Sequence, residues 1–481
     1  MIINVHFRPG FRRTRWVTIF GKTVAVSPAE LRIEKLETSD SPQQVFAKLQ
    51  EECEEAFLLE SARGATRLAE YSFIGFEPGV IVRVKNGQLE FIDQVEGSRE
   101  RTKTSDPLGN IRALVGRFTE RGPYRFIGGA VGYFSYDSVR YWETLPSSAK
   151  DDLSIPDMEF GIYTDGIAFD HPRGRVSYYS LGEDRSEMVH RLLRRNTDVG
   201  KLEYGPKKAN ITKERYENMV EKAKDYIAAG DIFQVVPSKR HDFEVTGELS
   251  RFYAELSRIN PSPYMYFLKF GERRIVGSSP EMLLRVEDRR VETFPIAGTA
   301  PRVADKEEND RITKELLADP KERAEHIMLV DLGRNDIGKV SKYGSVKVPE
   351  LLTVQQYSHV QHIVSRVVGE LRDEFDSFDA MRAVFPAGTL TGAPKPRAME
   401  IIEELEPTRR GPYGGALGYF SFNGNSDFAI TIRTLIANGE RCSIQAGGGV
   451  VADSIPEKEW QETENKAAAL FRAVEAAGVK K

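Results

Sequence analysis

The chain has 481 residues, 40% hydrophobic and 29% charged, with 40 glycines and 24 prolines, a globular composition that excludes disordered, collagen-like and coiled-coil chains. That length allows about three domains at roughly 150 residues each, or one large body plus a smaller unit. Sixty-eight Lys and Arg against 72 Asp and Glu leave a formal charge of −4, without the basic excess that gripping phosphates requires, so no nucleic-acid partner is expected.

In chain order, the run Trp16 to Phe20 follows Arg12, Arg13 and Arg15, but Thr18 interrupts it and it is too short for a signal-peptide core. No segment approaches the ~18 apolar residues of a membrane span. Two cysteines, Cys53 and Cys442, cannot make a disulfide framework or a Cys-rich zinc site, so a cytoplasmic protein without membrane attachment is expected, whose metal, if any, uses oxygen ligands. Helices are predicted near 42 to 56 and 107 to 120. Residues 66 to 92 hold short β-rich runs broken by Glu-Pro-Gly and Asn-Gly, the punctuation of hairpins, and residues 157 to 181 repeat the style.

Around 183 to 212 the sequence turns charged and helical and then loses apolar content, which divides a β-rich part, 1–205, from a second domain, 206–481. From Thr212 to Ala229, Tyr216, Met219, Val220, Ala223 and Ile227 fall on one face of an amphipathic helix closed by Gly230. Then follow a strand-like run at 232 to 240, a helix over 248 to 258, a strand over 264 to 270, a long helix from about 306 to 332, more strands and a last helix near 456 to 476. Without regular βαβ periodicity, the fold class is α+β and not doubly wound. RGPYRFIGGAVGYFSYD from Arg121 is echoed by RGPYGGALGYFSF from Arg410. Either a duplication or two independent strand entries after Gly-Gly would produce it.

Glu325 and His326 lie inside an apolar helical run, Ile327 to Val330. A carboxylate there costs several kcal/mol unless it is paired, by an arginine or by a metal. Glu457, Glu459, Glu462 and Glu464 open the last helix, where they suit the positive end of the dipole. Glu459 and Glu462 are also three apart on one face, as ligands of a hard cation would be; magnesium takes one or two carboxylates plus water and a substrate anion, which Glu325 and Glu462 satisfy. Residues 385–399 and 445–454 read as the ends of strand-like runs. Gly447, Gly448 and Gly449 let the backbone approach a ligand and offer N–H donors to a carboxylate. Neither GxxxxGK[ST] nor GxGxxG occurs, so the glycines, Arg433, Tyr413 and the carboxylates suit a small molecule with several carboxylates better than a nucleotide.

GDIFQVV, SSPEMLL, PIAGT, AEHIMLVDLGRNDIG, YSHVQHIVS, FPAGTLTGAPKPRAM, RGPYGGALGYF, IRT, QAGGGVVADS and ETENKA, in this order, resemble the chorismate-utilising enzymes over nearly all of 212 to 475. LLES at 58–61 and YSFIGFEP extend the resemblance toward the N-terminus, and the pattern is similar to that of the anthranilate synthase large subunits (component I). The resemblance implies two large antiparallel β-sheets packed face to face with helices outside. It also implies a Mg2+-dependent lyase that converts chorismate and ammonia to anthranilate and pyruvate, the first step of tryptophan biosynthesis.

Isochorismate and salicylate synthases resemble this chain but carry Lys where Gln234 stands, and that Lys activates water; aminodeoxychorismate synthases usually carry Lys where Ala297 stands. Both absences leave ammonia as the nucleophile. By resemblance, Glu325 and Glu462 hold magnesium, with Glu459 nearby, while Gly298, Thr299, Tyr413, Arg433, Gly447, Gly448, Gly449 and Lys466 hold the substrate. Glu281 is the general acid for the C4 hydroxyl, His362 serves the later loss of a proton and of pyruvate, and Gln234 completes the catalytic set. No glutaminase segment with a nucleophilic Cys elbow is present, which implies a partner glutaminase subunit (component II) in a heterotetramer. The resemblance further implies inhibition by L-tryptophan between a regulatory, glutaminase-contacting part at 1–205 and the catalytic part, at Ser61, Pro263, Tyr264 and Met265. Pro237, Ala300 and Gly448 depart from residues the family often carries. Two other readings stand beside this one: an aminodeoxychorismate synthase component I of the folate pathway, and a non-catalytic amino-acid sensor, in which Glu281, Glu325, His362, Arg433 or Glu462 should have been lost.

Overall fold

The computed structural model describes residues 31–61, 70–116, 122–196, 200–356 and 360–481, with a small sheet of three strands, Val5–His6, Arg15–Ile19 and Lys22–Val26, ahead of them. Strand Tyr264–Phe270 shows how the sequence builds the rest. Tyr266, Leu268 and Phe270 point to one side and Met265 and Phe267 to the other, the period of two that a pleated strand imposes when both of its faces are buried. The first set joins a core shared with Val82, Val131, Phe160, Leu284 and Phe420 of a facing sheet. The second packs against Phe46, Phe252, Leu256, Leu470 and Val474 of covering helices. Each such side chain taken from water contributes ~1.5–3 kcal/mol.

Two sheets of 12 and 13 strands result, antiparallel except where Leu202–Tyr204 runs parallel to Val479–Lys480. The first carries Val80–Lys85, Gly129–Phe134 and Met158–Tyr163 beside Ala416–Ser421, Ser426–Ile430 and Met282–Glu287. The second pairs Glu55–Glu60 with Tyr264–Phe270. Strands from before and after residue 205 thus share both sheets, and the chain around 205 only turns between Leu202–Tyr204 and Lys208–Ala209, which both pair with Ser238–Gly247.

The echoed segments lie side by side. Gly129–Phe134 pairs antiparallel with Ala416–Ser421, and the equivalent glycines Gly132 and Gly418 face each other at the middle of the pair. A Cβ on Gly132 would stand 2.0 Å from the Glu159 carbonyl oxygen, and one on Gly418 2.0 Å from that of Asp427. The two copies meet the same steric demand across a pseudo-two-fold axis.

Several elements differ from expectation. The helix expected over 306–332 is two, Lys306–Ala318 and Pro320–Gly338, because Asp319 ends the first and its side chain caps the N–H groups of Lys321 and Glu322 in the second. The strand-like run at 232–240 breaks at Pro237 into Gln234–Val235 and Ser238–Gly247. Residues 385–399 do not end a strand: they follow the helix Ser377–Val384 and hold a short helical turn, Gly388–Thr391. Among the described residues between 183 and 212 the helix is confined to Ser186–Leu193. Residues 117 to 120 of the predicted second helix lie outside the described residues.

Candidate active site

Side chains of two helices approach the end of the strand Arg441–Gly447, close enough for Glu462 of one to act on Glu322 and Glu325 of the other. On Pro320–Gly338, Glu322 and Glu325 are three apart and share a face; on Pro456–Ala477, Glu459, Glu462 and Lys466, spaced by three and then four, share one too. Gln234 Nε2 donates to Glu325 Oε1 at 2.8 Å, while Gln234 Oε1 is buried without a partner. Burial, then the negative charge of Glu462, push the Glu325 carboxyl above the usual carboxylate range, against the Gln234 hydrogen bond. Glu322 is raised by burial and by Glu325, and Glu459 by burial, with Glu462 adding to it. Oε2 of Glu459 is buried with no hydrogen-bond partner. Sequence reasoning missed Glu322, although the three-residue spacing that linked Glu459 with Glu462 also links Glu322 with Glu325.

Lys466 Nζ donates to the Gly447 carbonyl at 2.9 Å and pairs with Glu462 at 2.6 Å, so it pins the helix to the glycine run. Its charge reaches Glu281, Glu325, His362 and Glu459, which marks it as the centre of the constellation. The glycines are there for proximity: a Cβ would stand 3.0 Å from the Tyr413 hydroxyl at Gly447, 2.9 Å from Glu459 Oε2 at Gly448 and 2.8 Å from Gln234 Nε2 at Gly449. Pro237 lies beneath them, its carbonyl accepting from the N–H of Gly448 and the hydroxyl of Tyr216.

Glu281 follows the strand Arg273–Ser279 and is buried. Burial pushes its carboxyl up to about 8, against a 2.9 Å hydrogen bond from Thr389 and the charge of Lys466. It is therefore mostly protonated at neutral pH. His362 Nδ1 lies 2.9 Å from the Gly298 carbonyl and 3.0 Å from Thr299 Oγ1. Burial first, then Arg433 and Lys466, hold its pKa below the ordinary value, and Nδ1–H donation to Gly298 leaves the basic lone pair on Nε2. Gly298 has φ +70, and a Cβ there would stand 3.0 Å from Glu322 Oε2. Arg433 is at φ +51 and its backbone carbonyl accepts from the Ser278 N–H at 3.1 Å, while its guanidinium makes no hydrogen bond to any described residue. Burial draws its pKa below the ordinary value against the pull of Tyr413 and Glu462, so the guanidinium is left for an anionic group. Ala300 is buried in the strand Ile296–Pro301, opposite Gln361.

Ser61, Tyr264 and Met265 come together elsewhere, in a cavity of about 40 Å³ that Arg125, Tyr419 and Asp427 also line. The Tyr264 hydroxyl donates to Asp427 at 2.9 Å and accepts from Arg285 at 3.1 Å. Pro263 is buried next to this cavity in sequence but is not part of its lining.

Among the described residues no helix is long and apolar enough to cross a membrane, and no three His, Cys, Asp or Glu side chains are grouped closely enough to hold a metal by themselves. The family described as chorismate binding enzyme matches residues 54–472. Anthranilate synthase component 1 of Methanothermobacter marburgensis is 51% identical over 462 residues, covering 96% of this chain and 98% of the relative. The crystal structure of anthranilate synthase component I from Streptococcus pneumoniae matches with a TM-score of 0.75 and 38% identity, over 84% of this chain and 92% of that one. The menaquinone-specific isochorismate synthase MenF of Escherichia coli shares the fold, with a TM-score of 0.69 at 19% identity over 92% of this chain and 94% of its own. A buried acid pushed up to about 8, a guanidinium with no hydrogen-bond partner among the described residues and carboxylates around a glycine run agree with these matches, and the chain belongs to the chorismate-binding enzymes.

Proposed function

We propose that the chain is the ammonia-dependent synthase component of an anthranilate synthase, converting chorismate and ammonia to anthranilate, pyruvate and water. The observation that carries this reading is the buried, protonated Glu281. Hydroxide is a poor leaving group, and an acid with a pKa near 8 can deliver a proton to the C4 oxygen at neutral pH. Gln234 has no basic lone pair with which to activate water, which favours an external amine as the nucleophile. Arg433 and the N–H groups of Gly447, Gly448 and Gly449 bind the substrate carboxylates, and Tyr413 orients the ring. His362, neutral because burial lowers its pKa, takes the proton released when pyruvate departs. The relatives named anthranilate synthase component 1 support this reading over aminodeoxychorismate synthesis.

The carboxylates and the orphaned Glu459 Oε2 fit a hard cation that keeps waters and a substrate anion among its ligands. Glu325 and Glu462 would hold Mg2+, with Glu459 and Glu322 beside them. Bound there, the ion would supply positive charge against the ring carboxylate. Ammonia would come from a glutaminase partner, and L-tryptophan would bind at the cavity of Ser61, Tyr264 and Met265, which must widen to admit an indole.

The test is chorismate with magnesium and an ammonium salt at alkaline pH, followed by fluorescence and mass. Anthranilate without added glutaminase is expected, and glutamine should replace ammonium only when a glutaminase is supplied. Isochorismate or an aminodeoxychorismate as the sole product would overturn the reading. Excess chelator should abolish turnover, as should Glu325→Gln or Glu462→Gln in folded protein; full activity in chelator would remove magnesium from the scheme.

A further inference from the structure

Several segments that carry site residues converge on one buried ion pair behind the site. Arg410 is 1% exposed. Its Nε and Nη2 fork onto Glu406 at 2.6 to 3.2 Å, its Nη1 donates to the Leu390 carbonyl at 2.7 Å and its Nη2 to the Val236 carbonyl at 2.6 Å. The guanidinium lies over the Tyr136 ring at 4.6 Å and the Tyr413 ring at 5.8 Å. Glu406 in turn accepts from the N–H and the hydroxyl of Ser238, each at 2.8 Å, and Gln445 donates to that hydroxyl at 2.8 Å.

Each contact leads into the chemistry. Leu390 follows Thr389, the donor to Glu281. Val236 lies two residues beyond Gln234, the donor to Glu325. Gln445 precedes the glycine run by two, and Tyr413 belongs to the site itself. A buried ion pair is weak evidence for stability, because well-packed apolar residues of similar volume often serve as well or better. The planar, five-donor guanidinium is instead suited to fixing several partners in one geometry, and a constellation of this kind needs supporting contacts good to about half an ångström.

We propose that Arg410, itself held by Glu406, is a positioning residue that keeps the Glu281 acid, the Gln234–Glu325 contact and Tyr413 in one catalytic register. The proposal rests on the chorismate reading. The parent enzyme is therefore assayed first, since absence of product from the parent breaks that reading and not this one. With an active parent, two variants are compared. Arg410→Lys keeps a cation for Glu406 but loses the fork. Arg410→Met with Glu406→Gln removes both charges and keeps a carbonyl acceptor for Ser238.

Both variants should retain a cooperative melting transition and lose about 10²-fold in kcat/KM for chorismate, the scale of a misplacement of about 1 Å. The pH profile separates positioning from simple support. Thr389→Val removes the hydrogen bond that favours ionised Glu281, so the alkaline limb of kcat moves to higher pH. Arg410→Lys should move that limb in the same direction, and adding it to Thr389→Val should move it no further. The other charged groups facing Glu281 are Lys466 and, across a small cavity behind it, Asp336 and Lys395, all unchanged in these variants. A folded variant with parental kcat/KM, a lowered rate with an unmoved limb, or shifts that add in the double variant would each overturn the proposal.

Discussion

The two halves of the 12-stranded sheet repeat one polar motif and finish it differently. On one side Tyr133 lies opposite Glu159, which lies opposite Arg83; on the other Tyr419 lies opposite Asp427, which lies opposite Arg285. Glu159 is fully buried, bonded by Arg83 at 2.5 Å, by Tyr133 at 3.1 Å and by two nitrogens of Arg273 at 2.6 and 2.8 Å. Asp427 takes Arg285 at 2.7 Å and the Tyr264 hydroxyl at 2.9 Å, and it lines the cavity that contains Ser61. The facing sheet supplies an arginine to one acid and a tyrosine to the other. A duplicated strand frame thus fixes where an acid stands, and the opposite sheet decides whether it becomes a sealed lock or a cavity wall. The chemistry is equally one-sided. Val80–Lys85 pairs without a shift, whereas Met282–Glu287, which follows Glu281, slips its register between Met282 and Leu284, the kind of bulge that re-aims side chains beside active sites.

The largest expected effect lies on the catalytic side. Glu281→Gln should lower kcat by roughly 10² to 10⁴ while Glu159→Gln, in whatever fraction stays folded, leaves the chemical step near parental. In the parent, kcat at fixed free ammonia should decline as pH rises through about 8, because the acid must be protonated to act. The same carboxyl has a folded pKa above its unfolded value of 4.5, so the stability it contributes is complete below that value and is lost as pH rises through the folded pKa. A flat alkaline limb would assign the proton to another group.

Next in size is the sealed acid. Glu159→Gln strips Arg83 and Arg273 of their buried counter-charge and should cost about 3–5 kcal/mol, read as the shift of a urea midpoint. Asp427→Asn should cost less, about 1–3 kcal/mol, because the adjoining cavity admits water. Equal costs would erase the distinction between lock and wall. Gly132→Ala and Gly418→Ala sharpen the symmetry itself: each drives a Cβ against a neighbouring carbonyl, and both should destabilise by a similar ~1–3 kcal/mol. Unequal values would show that the copies have diverged even at their shared centre.

The smallest expected effect concerns the cavity. If tryptophan binds there, it weakens chorismate binding by the same factor by which chorismate weakens tryptophan binding, about 5–150-fold for a typical coupling, and Ser61→Arg relieves the inhibition. Calorimetry with and without saturating chorismate reads both directions, and an unchanged tryptophan affinity would sink the coupling.

The sequence by itself determined many of the local elements and the chemical types. Apolar spacing located the helix Lys213–Ala228, whose Tyr216, Met219, Val220 and Ala223 are buried as its face requires, and Asn-Gly located the hairpin between Val80–Lys85 and Gln88–Asp93. Ordered motifs named Glu281, Glu325, His362, Arg433 and the glycine run. Tertiary structure alone decided that residues before and after 205 share both sheets, that the echoed strands pair about Gly132 and Gly418, that Glu322 joins the carboxylates, and that Arg410 reaches Leu390 and Val236. Periodicity and caps are local and repeat within a few residues, so they are written along the chain. Pairing between strands that are not neighbours in sequence and the aim of the Arg410 guanidinium, 20 positions from Leu390 and 174 from Val236, depend on partners far along the chain, and no short window of sequence contains them all.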